Sequence, residues 1–246
     1  MPTDAELMQI EIDTMWLTDA RGRLTTTAER EGRPAPHLVI ATATDGQRLA
    51  IGSEVPDALA LQLRALIDEG VRSTDPSAPP TAIPRCIQLL ELVVGPVEVA
   101  SGPSYWVPSP TLYTSDADIV RSDGDSSEPL TPPDNANWSA EEWHELIDGA
   151  FGPWAIAIDG GRVVSICHSA RLTDRGAEAG TWTAPGHRGR GLAAATTAAW
   201  SSLFDRTTHD LFYSTAADNH SSQNVAKRLN LRQIGWLWGL SSPRPA

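Results

Sequence analysis

The sequence predicts an α/β protein whose C-terminal half is a mixed sheet with flanking helices, preceded by a smaller α+β region. Two observations support this prediction. From residue 139 onward, helical and extended patterns alternate in the order α-β-β-β-α-β-α-β, which is typical of antiparallel strands followed by a parallel crossover. An acidic stretch rich in Ser and Pro separates this half from the first hundred residues. We therefore predict an α+β region of unknown role at 1–113, a linker or surface loop at 114–133, and an α/β domain at 134–246.

The elements of the N-terminal region are predicted from capping and turn signals. Thr3 and Glu6 have the spacing of a capping box, which satisfies the first free N–H groups of a helix. Asp45-Gly46 is a hairpin turn signal between two extended runs. The predicted elements are a helix at 3–17, strands at 37–44 and 48–52, a helix at 56–69, a loop at 72–84 and a short edge strand at 102–108. The apolar run 86–94 fits a helix or a strand equally well.

The elements of the C-terminal half are predicted in the same way. Ser139 and Glu142 form a second capping box ahead of an apolar stripe at helical spacing. The predicted elements are a helix at 139–151, strands at 154–158, 163–170 and 178–183, a helix from Gly191 to Arg206, a strand at 211–215, a helix at 221–229 and a strand at 233–240. The run between the linker and the strand at 154–158 is short. The N-terminal region is therefore a candidate source of one further strand of this sheet and of part of a substrate pocket.

The bulk composition excludes several classes of protein. The 246 residues are 41% hydrophobic, which is enough for a buried core. A net charge of −12 argues against a nucleic-acid partner, because phosphate binding requires clustered Lys and Arg. Cys86 and Cys167 form no disulfide framework or zinc motif, and no apolar run indicates a signal peptide or a membrane span. We expect a cytoplasmic protein with no membrane partner, and whether it forms a homodimer is left open.

The strongest chemical signal is the segment 181–193 (TWTAPGHRGRGLA), which leads from a strand through a turn into a helix. Successive N–H groups at the start of a helix form an anion site that the helix dipole reinforces. Gly189 and Gly191 allow close approach of the backbone to a phosphate, and Arg188 and Arg190 add positive charge. The segment suits a pyrophosphate. The alternative is an exposed turn whose glycines only satisfy loop geometry.

A second interpretation of the same glycines is a dinucleotide fingerprint. Residues 189–194 fit the relaxed pattern G-x-G-x-x-A, and Asp210 lies at about the right distance downstream. However, that fold requires a buried strand running straight into the first glycine, whereas Ala184 to Arg188 intervene. Asp210 also begins its predicted strand, while a ribose-binding acid ends one. This interpretation is the less favoured one.

Two linked motifs carry a resemblance to a known family. Arg188-x-x-Gly191-x-Ala193, after a strand and Pro185, resembles the acyl-CoA-binding motif of the GCN5-related N-acetyltransferase (GNAT) family. After the next predicted strand, residues 219–231 resemble the family's N-x-x-S-x-x-V-A-x-x-L-G-F segment, with Asn-Leu in place of Gly-Phe. The resemblance covers residues 134–242 and implies a GNAT-type mixed sheet.

The resemblance implies acetyl-CoA as the donor, with its pantetheine arm between the predicted strands 178–183 and 211–215. The main chain of Trp182 and Thr183 would pair with the amides of the arm, and Asn219 and Ser222 would contact it near the thioester. The pyrophosphate would be held by Arg188, Gly189, Arg190, Gly191, Leu192 and Ala193. The implied activity is acetyl transfer to a primary amine of a small molecule or peptide. The alternatives are a non-catalytic acyl-CoA-binding regulatory module and, less favoured, a nicotinamide-dependent enzyme.

The residues for proton transfer are less clearly defined. The resemblance implies Glu178 as the base that deprotonates the amine, although an exposed carboxylate at a strand end is the alternative. His168, on the preceding strand, is the second candidate for the base, or a packed core residue. Ala226 occupies the position where many members of the family have a tyrosine acid, and Tyr213 is a candidate substitute. The six histidines are scattered, so we predict no metal site.

Overall fold

A computed structural model of the chain describes residues 2–71, 73–124, 130–133, 138–205 and 207–243. The described chain divides into two compact units. The first contains the residues up to 104, residues 214–218 and those from 233 onward, and the second contains 105–213 and 219–232. The second unit thus begins well before residue 134, the domain boundary suggested by composition.

The first unit combines helices with an antiparallel sheet. Its helices are α1 (Asp4–Met15), α2 (Asp57–Glu69) and α3 (Ile83–Val94), and its strands are β1 (Trp16–Thr18), β2 (Leu24–Thr27), β3 (Leu38–Ala43), β4 (Gly46–Ile51), most of β5 (Glu98–Val107) and β11 (Arg232–Ser241). The predicted capping box is confirmed, since Thr3 and Glu6 exchange side-chain and main-chain hydrogen bonds. Strand β3 pairs antiparallel with β4 across the predicted hairpin turn and with β11 on its other side.

The secondary structure of two segments in the N-terminal region depends on tertiary packing. The ambiguous run 86–94 belongs to helix α3, because Cys86 and Leu90 pack in the core against α2 and β3. The segment predicted as a short strand at 102–108 is a strand up to Val107, but it forms the second half of the ten-residue strand β5, so its length was predicted wrongly. Gly102 and Pro103 signalled a turn, but here the missing side chain of Gly102 permits close approach, since an added Cβ would lie 1.8 Å from the carbonyl oxygen of Thr215.

The second unit is a mixed sheet with helices. Its strands are the end of β5, β6 (Asp118–Arg121), β7 (Trp154–Asp159), β8 (Arg162–Leu172), β9 (Gly176–Thr183) and β10 (Asp210–Ser214), and its helices are α4 (Ala140–Ile147), α5 (Leu192–Ser201) and α6 (His220–Arg228). The strands lie in the order β5-β10-β9-β8-β7-β6. Strands β6 to β9 are antiparallel neighbours, and β9 and β10 are parallel and joined by α5. The predicted antiparallel start and parallel crossover are confirmed.

The acidic segment 114–133 contributes a strand to this sheet. Ile119 and Val120 of β6 pair with Ala157 and Ile156 of β7, so the neighbour of β7 comes from the segment that we predicted to be a linker. The few apolar residues of the segment are sufficient for one short strand. Residues 125–129 of the segment, and Arg206 at the predicted end of helix α5, lie outside the described residues. Within the described ranges, no helix has the length and apolar composition needed to cross a membrane.

Candidate cofactor and active site

A groove opens where β9 and β10 separate. The parallel pairing of the two strands runs from Gly176 and Asp210 to Glu178 and Phe212, whereas β9 continues to Thr183. The groove has a volume of about 440 Å³ and is lined by the end of β9, by the turn and first residues of α5, and by one face of α6. It lies entirely within the second unit.

The structure brings together nine of the ten residues that the resemblance assigns to the cofactor. These groove-lining residues are Trp182, Thr183, Arg188, Gly189, Gly191, Leu192, Ala193, Asn219 and Ser222. The tenth, Arg190, forms an ion pair with Asp159 at the end of β7, with 3.0 Å between Nη1 and Oδ2. Arg190 therefore ties the turn to the sheet, and its charge is partly neutralised there.

The main chain of β9 alternates between β8 and the groove. The carbonyl of Trp182 accepts a hydrogen bond from the hydroxyl of Ser165 in β8 at 3.0 Å. The N–H of Ala184 donates to the carbonyl of Val164 at 2.9 Å. Main-chain groups of successive strand residues point in opposite directions. Thr181 and Thr183, the neighbours of Trp182, therefore direct their N–H and C=O groups away from β8.

The groove edge of β9 therefore consists of the main chain of Thr181 and Thr183. The carbonyl of Thr183 accepts a hydrogen bond from Nε of Arg188 at 3.3 Å, which is consistent with this orientation. Sequence reasoning assigned main-chain pairing to Trp182 and Thr183. In the structure the Trp182 carbonyl is engaged with β8, and Thr181 takes its place beside the groove.

The turn before α5 has the geometry of an anion site. Gly191, the N-cap residue, has a left-handed φ of 83°, and among the described residues no side chain caps the first N–H groups of the helix. An added Cβ at Gly191 would lie 2.5 Å from the hydroxyl oxygen of Tyr113 and 3.2 Å from Nη1 of Arg228. Gly191 is thus required both for backbone conformation and for space. The uncapped N–H groups face an open groove, where an anion can accept hydrogen bonds from them.

One positively charged residue of this site, Arg228, was not predicted from the sequence. Arg228, on α6, lines the groove and donates a hydrogen bond from Nη2 to the carbonyl of Gly189 at 3.0 Å. It therefore adds a second guanidinium group beside the turn, next to that of Arg188. A signal was present in the sequence, because the groove-lining residues 221, 224, 225 and 228 recur at helical spacing on one face of α6.

Glu178 is buried and paired, unlike the exposed carboxylate considered from sequence. Its side chain is 8% exposed and forms an ion pair with Arg171 of β8, the residue opposite it in the ladder. A bulge between Ser169 and Arg171 places Arg171 opposite Glu178, whereas His168 lies before the bulge and opposite Gly180. The two candidate bases therefore lie near each other without being direct cross-strand partners.

His168 is largely buried beside an aromatic side chain. The ring of Trp138 meets it edge-on, with 5.6 Å between centroids. Burial lowers the pKa of His168 from 6.5 to about 4, and a hydrogen bond with the main chain of Gly180 opposes this shift only in part. Within the described part of the chain, Nδ1 of His168 is buried without a hydrogen-bond partner. The environment favours the uncharged ring, which makes His168 a weak base.

The buried ring makes folding stability sensitive to acid. A pKa of about 4 in the folded state, against 6.5 for an ordinary histidine, means that the unfolded chain binds more protons below neutrality. Stability attributable to His168 is therefore complete above pH 6.5 and declines as the pH falls toward 4, by roughly 2 kcal/mol at pH 5. Urea unfolding from pH 7.5 to pH 5 should show a flatter dependence for His168→Gln. The exposed-site control His220→Gln should keep the slope of the wild type, and equal slopes in all three proteins would contradict this assignment.

Two residues of the second motif, Asn219 and Ala226, have structural roles in helix α6. The side-chain oxygen of Asn219 accepts the N–H of Ser222 at 3.1 Å and caps the helix. Ala226 is fully buried in a cluster with Tyr213. The hydroxyl of Tyr213 contacts the hydroxyl of Thr181 at 3.3 Å and also has Ser222 as a hydrogen-bond partner. Both partners of the phenol line the groove.

Other chemistries find little support here. A 3-10 turn at Pro185–His187 separates β9 from Gly189, and Asp210 begins β10, where its carboxylate accepts a hydrogen bond from Trp106. Neither feature matches a dinucleotide fingerprint. Among the residues that the structure describes, no three His, Cys, Asp or Glu side chains form a group able to hold a metal ion.

The sequence profile of the acetyltransferase (GNAT) domain matches residues 109–232. A GCN5-related N-acetyltransferase from Kribbella flavida has a similar structure at 15% identity, covering 100% of this chain and 97% of that one with a TM-score of 0.50. A GCN5-related N-acetyltransferase-like protein from Streptococcus suis is 18% identical, with 84% of each chain covered and a TM-score of 0.43.

A GNAT-family protein from Novosphingobium aromaticivorans is 18% identical over 60% of this chain, which spans 66% of that protein's length, with a TM-score of 0.40. A search of curated proteins finds no match to this sequence. At these identities the structural likeness concerns the fold alone, and the full-length likeness to the Kribbella flavida protein confirms the predicted GNAT-type arrangement.

Proposed function

The chain belongs to the GNAT acetyltransferase family, and from this premise we propose that it transfers the acetyl group of acetyl-CoA to a primary amine of a small molecule or peptide. The observation that carries the proposal is the groove between β9 and β10. It joins an open main-chain edge to an uncapped, cationic helix start, and these two features suit the two chemically different halves of CoA.

The residues present fit the donor. The N–H groups after Gly191, together with Arg188 and Arg228, would hold the pyrophosphate by hydrogen bonds and charge. The main-chain groups of Thr181 and Thr183 would pair with the amides of the pantetheine arm as an added strand does. With its phosphates at the turn, the arm would run along β9 toward the point where the strands diverge.

The catalytic contribution of the chain would be positioning and proton transfer. Acetyl-CoA supplies an activated thioester, so the protein has only to hold the amine against it and remove a proton. We assign the proton acceptor to Glu178, directly or through a water molecule, with Arg171 holding its carboxylate in place through the buried ion pair. His168 is the second candidate, and its low pKa of about 4 makes it the weaker one.

A specific observation supports one competing function, acyl-CoA binding without turnover. Ala226 provides no acid where many relatives have a tyrosine, and Glu178 is engaged in a buried ion pair. Both features would be tolerated in a regulatory module that only binds the cofactor.

The release of thiol from acetyl-CoA across a panel of small-molecule and peptide amines separates the two functions. We expect turnover with at least one class of amine and thermal stabilisation of the protein by CoA. Acetyl-CoA binding without thiol release on any amine would support the regulatory module. Stabilisation by NAD with none by CoA would contradict both, because it would point to a nicotinamide-dependent enzyme.

Replacing Arg228 by Gln tests the phosphate end of the groove. We expect about tenfold weaker CoA binding, because a charge-assisted contact to phosphate contributes about 1.5–3 kcal/mol. The affinity should also depend less on salt. Calorimetric titration measures both. Lys227→Gln removes a neighbouring exposed charge that does not line the groove, so equal losses in the two variants would show that only net charge matters.

A further inference from the structure

A chain of three hydroxyl groups lies at the closed end of the groove. The phenol of Tyr213 is central and 2% exposed, and its hydrogen-bond partners are the hydroxyls of Thr181, at 3.3 Å, and of Ser222. Thr181 and Ser222 line the groove from β9 and α6, whereas Tyr213 lies behind them in the core of the unit. The mechanism assigned above uses none of these three hydroxyls.

The three hydroxyl groups together have one proton that is available for a hydrogen bond to a ligand. Three hydroxyls carry three protons, and the two hydrogen bonds that join them use two. If the remaining proton belonged to Tyr213, it would be a buried donor without a partner, which is energetically costly. The remaining proton therefore belongs to Thr181 or Ser222, and both of these hydroxyls face the groove. Burial also raises the pKa of Tyr213, so the phenol stays protonated at neutral pH.

The position of this donor along the groove indicates which part of the ligand it meets. The cationic turn marks the phosphate end, next to Thr183. Thr181 and Tyr213 lie at the opposite end, just beyond Glu178 and Phe212, where the pairing of β9 and β10 stops. A pantetheine arm anchored by its pyrophosphate at the turn would thus bring its sulfur to the hydroxyl chain.

We propose that the hydroxyl chain Thr181–Tyr213–Ser222 donates a hydrogen bond to the sulfur of CoA and stabilises the departing thiolate. This inference rests on the proposed function. In the transfer step the amine nitrogen bonds to the acetyl carbon, the C–S bond breaks with its electron pair going to sulfur, and the proton of the amine passes to Glu178 or to water. The hydroxyl keeps its own proton. Thr181 or Ser222 contacts the sulfur, and Tyr213 is a positioning residue that orients them.

The test needs no acceptor, because it uses CoA itself as the probe. The ultraviolet absorbance of the thiolate, followed against pH, gives the pKa of the CoA thiol bound to the wild-type protein and to variants. We expect the variant that removes the donor, Thr181→Val or Ser222→Ala, to lower the acid dissociation constant of the bound thiol about tenfold, since one pKa unit corresponds to one such hydrogen bond. Tyr213→Phe keeps both donors and removes the group that orients them, so we expect a smaller decrease in the same direction. Ser222→Ala and Thr181→Val identify the end of the chain that faces the sulfur.

Tyr105→Phe is the matched control, because Tyr105 is a second buried tyrosine of the same cluster and does not line the groove. It should leave the thiol pKa unchanged. The proposal is overturned if wild type, Tyr213→Phe and the double variant Thr181→Val with Ser222→Ala share one thiol pKa. If Tyr213→Phe fails to fold, the comparison of the thiol pKa between the wild type and the double variant is sufficient to test the proposal. Absence of CoA binding by the wild type would instead overturn the proposed function, and this inference with it.

Discussion

Replacing Glu178 by Gln is expected to lower kcat by roughly 10²–10³-fold, the range typical for loss of a general base. The affinity for acetyl-CoA should change little, because Glu178 does not line the cofactor groove. The physical reason is that an ammonium cannot attack a thioester until it loses a proton. The loss of rate should therefore shrink at high pH, where the amine is already neutral. Steady-state kinetics with an accepted amine, measured across pH, checks both expectations.

The buried ion pair supplies the control for this prediction. Arg171→Gln keeps the carboxylate and removes its partner, whereas Glu178→Gln keeps the partner and removes the carboxylate. Breaking a buried ion pair from either side is costly, at about 3–5 kcal/mol, so both variants should lose thermal stability. Only Glu178→Gln should show a rate that recovers at high pH. Matching pH–rate profiles in the two variants would mean that Glu178 acts only as a structural counter-ion.

The second large effect is expected from Gly191→Ala, which should weaken CoA binding about 100-fold. A left-handed backbone costs a residue with a side chain about 1–2 kcal/mol, and the new methyl group would overlap with the hydroxyl of Tyr113 at 2.5 Å. We expect a shift of the Tyr113 ring or of the first turn of α5 to relieve that overlap, and either shift alters the proposed anion site. Each 1.4 kcal/mol corresponds to about tenfold in affinity, so strain and displacement together reach this magnitude.

Gly189→Ala isolates the steric part of this effect. Gly189 lies in the same turn with a similar φ of 79°, but an added Cβ there meets no atom within 4 Å. Strain alone should cost about tenfold in affinity, clearly less than in Gly191→Ala. Calorimetric titration of CoA against both variants measures the difference. Equal losses would show that space beside Tyr113 has no role in shaping the site.

Several features could be predicted from the sequence because they depend on interactions between near neighbours. The two capping boxes at Thr3 and Ser139 were predicted and are present, since each involves residues three positions apart. The strand, turn and helix start of segment 181–193 could be predicted because its glycines and arginines are contiguous, and its role in anion binding stays a prediction. The alternation of strands and helices after residue 139, and with it the parallel crossover, follows from local periodicity in the same way.

Other features required the folded chain. Periodicity could not show that β5 extends over ten residues or that the acidic segment contributes β6, because these strands form only against distant partners. A single bulge in β8 shifts the register by one residue, so that Arg171, and not Ala170, lies opposite Glu178. No local pattern encodes such a bulge.

Some features of the groove follow from the local sequence, and others depend on the tertiary structure. The sequence by itself determined the turn, the helix that follows and the family resemblance, because these depend on residues adjacent in the chain. Only the tertiary structure decided that Arg228 reaches Gly189, that Thr181 and not Trp182 presents its main chain, and that Tyr213 links two groove hydroxyls. Each of these depends on strand alternation or on packing between elements, in which contacts are set by register and burial across long stretches of chain.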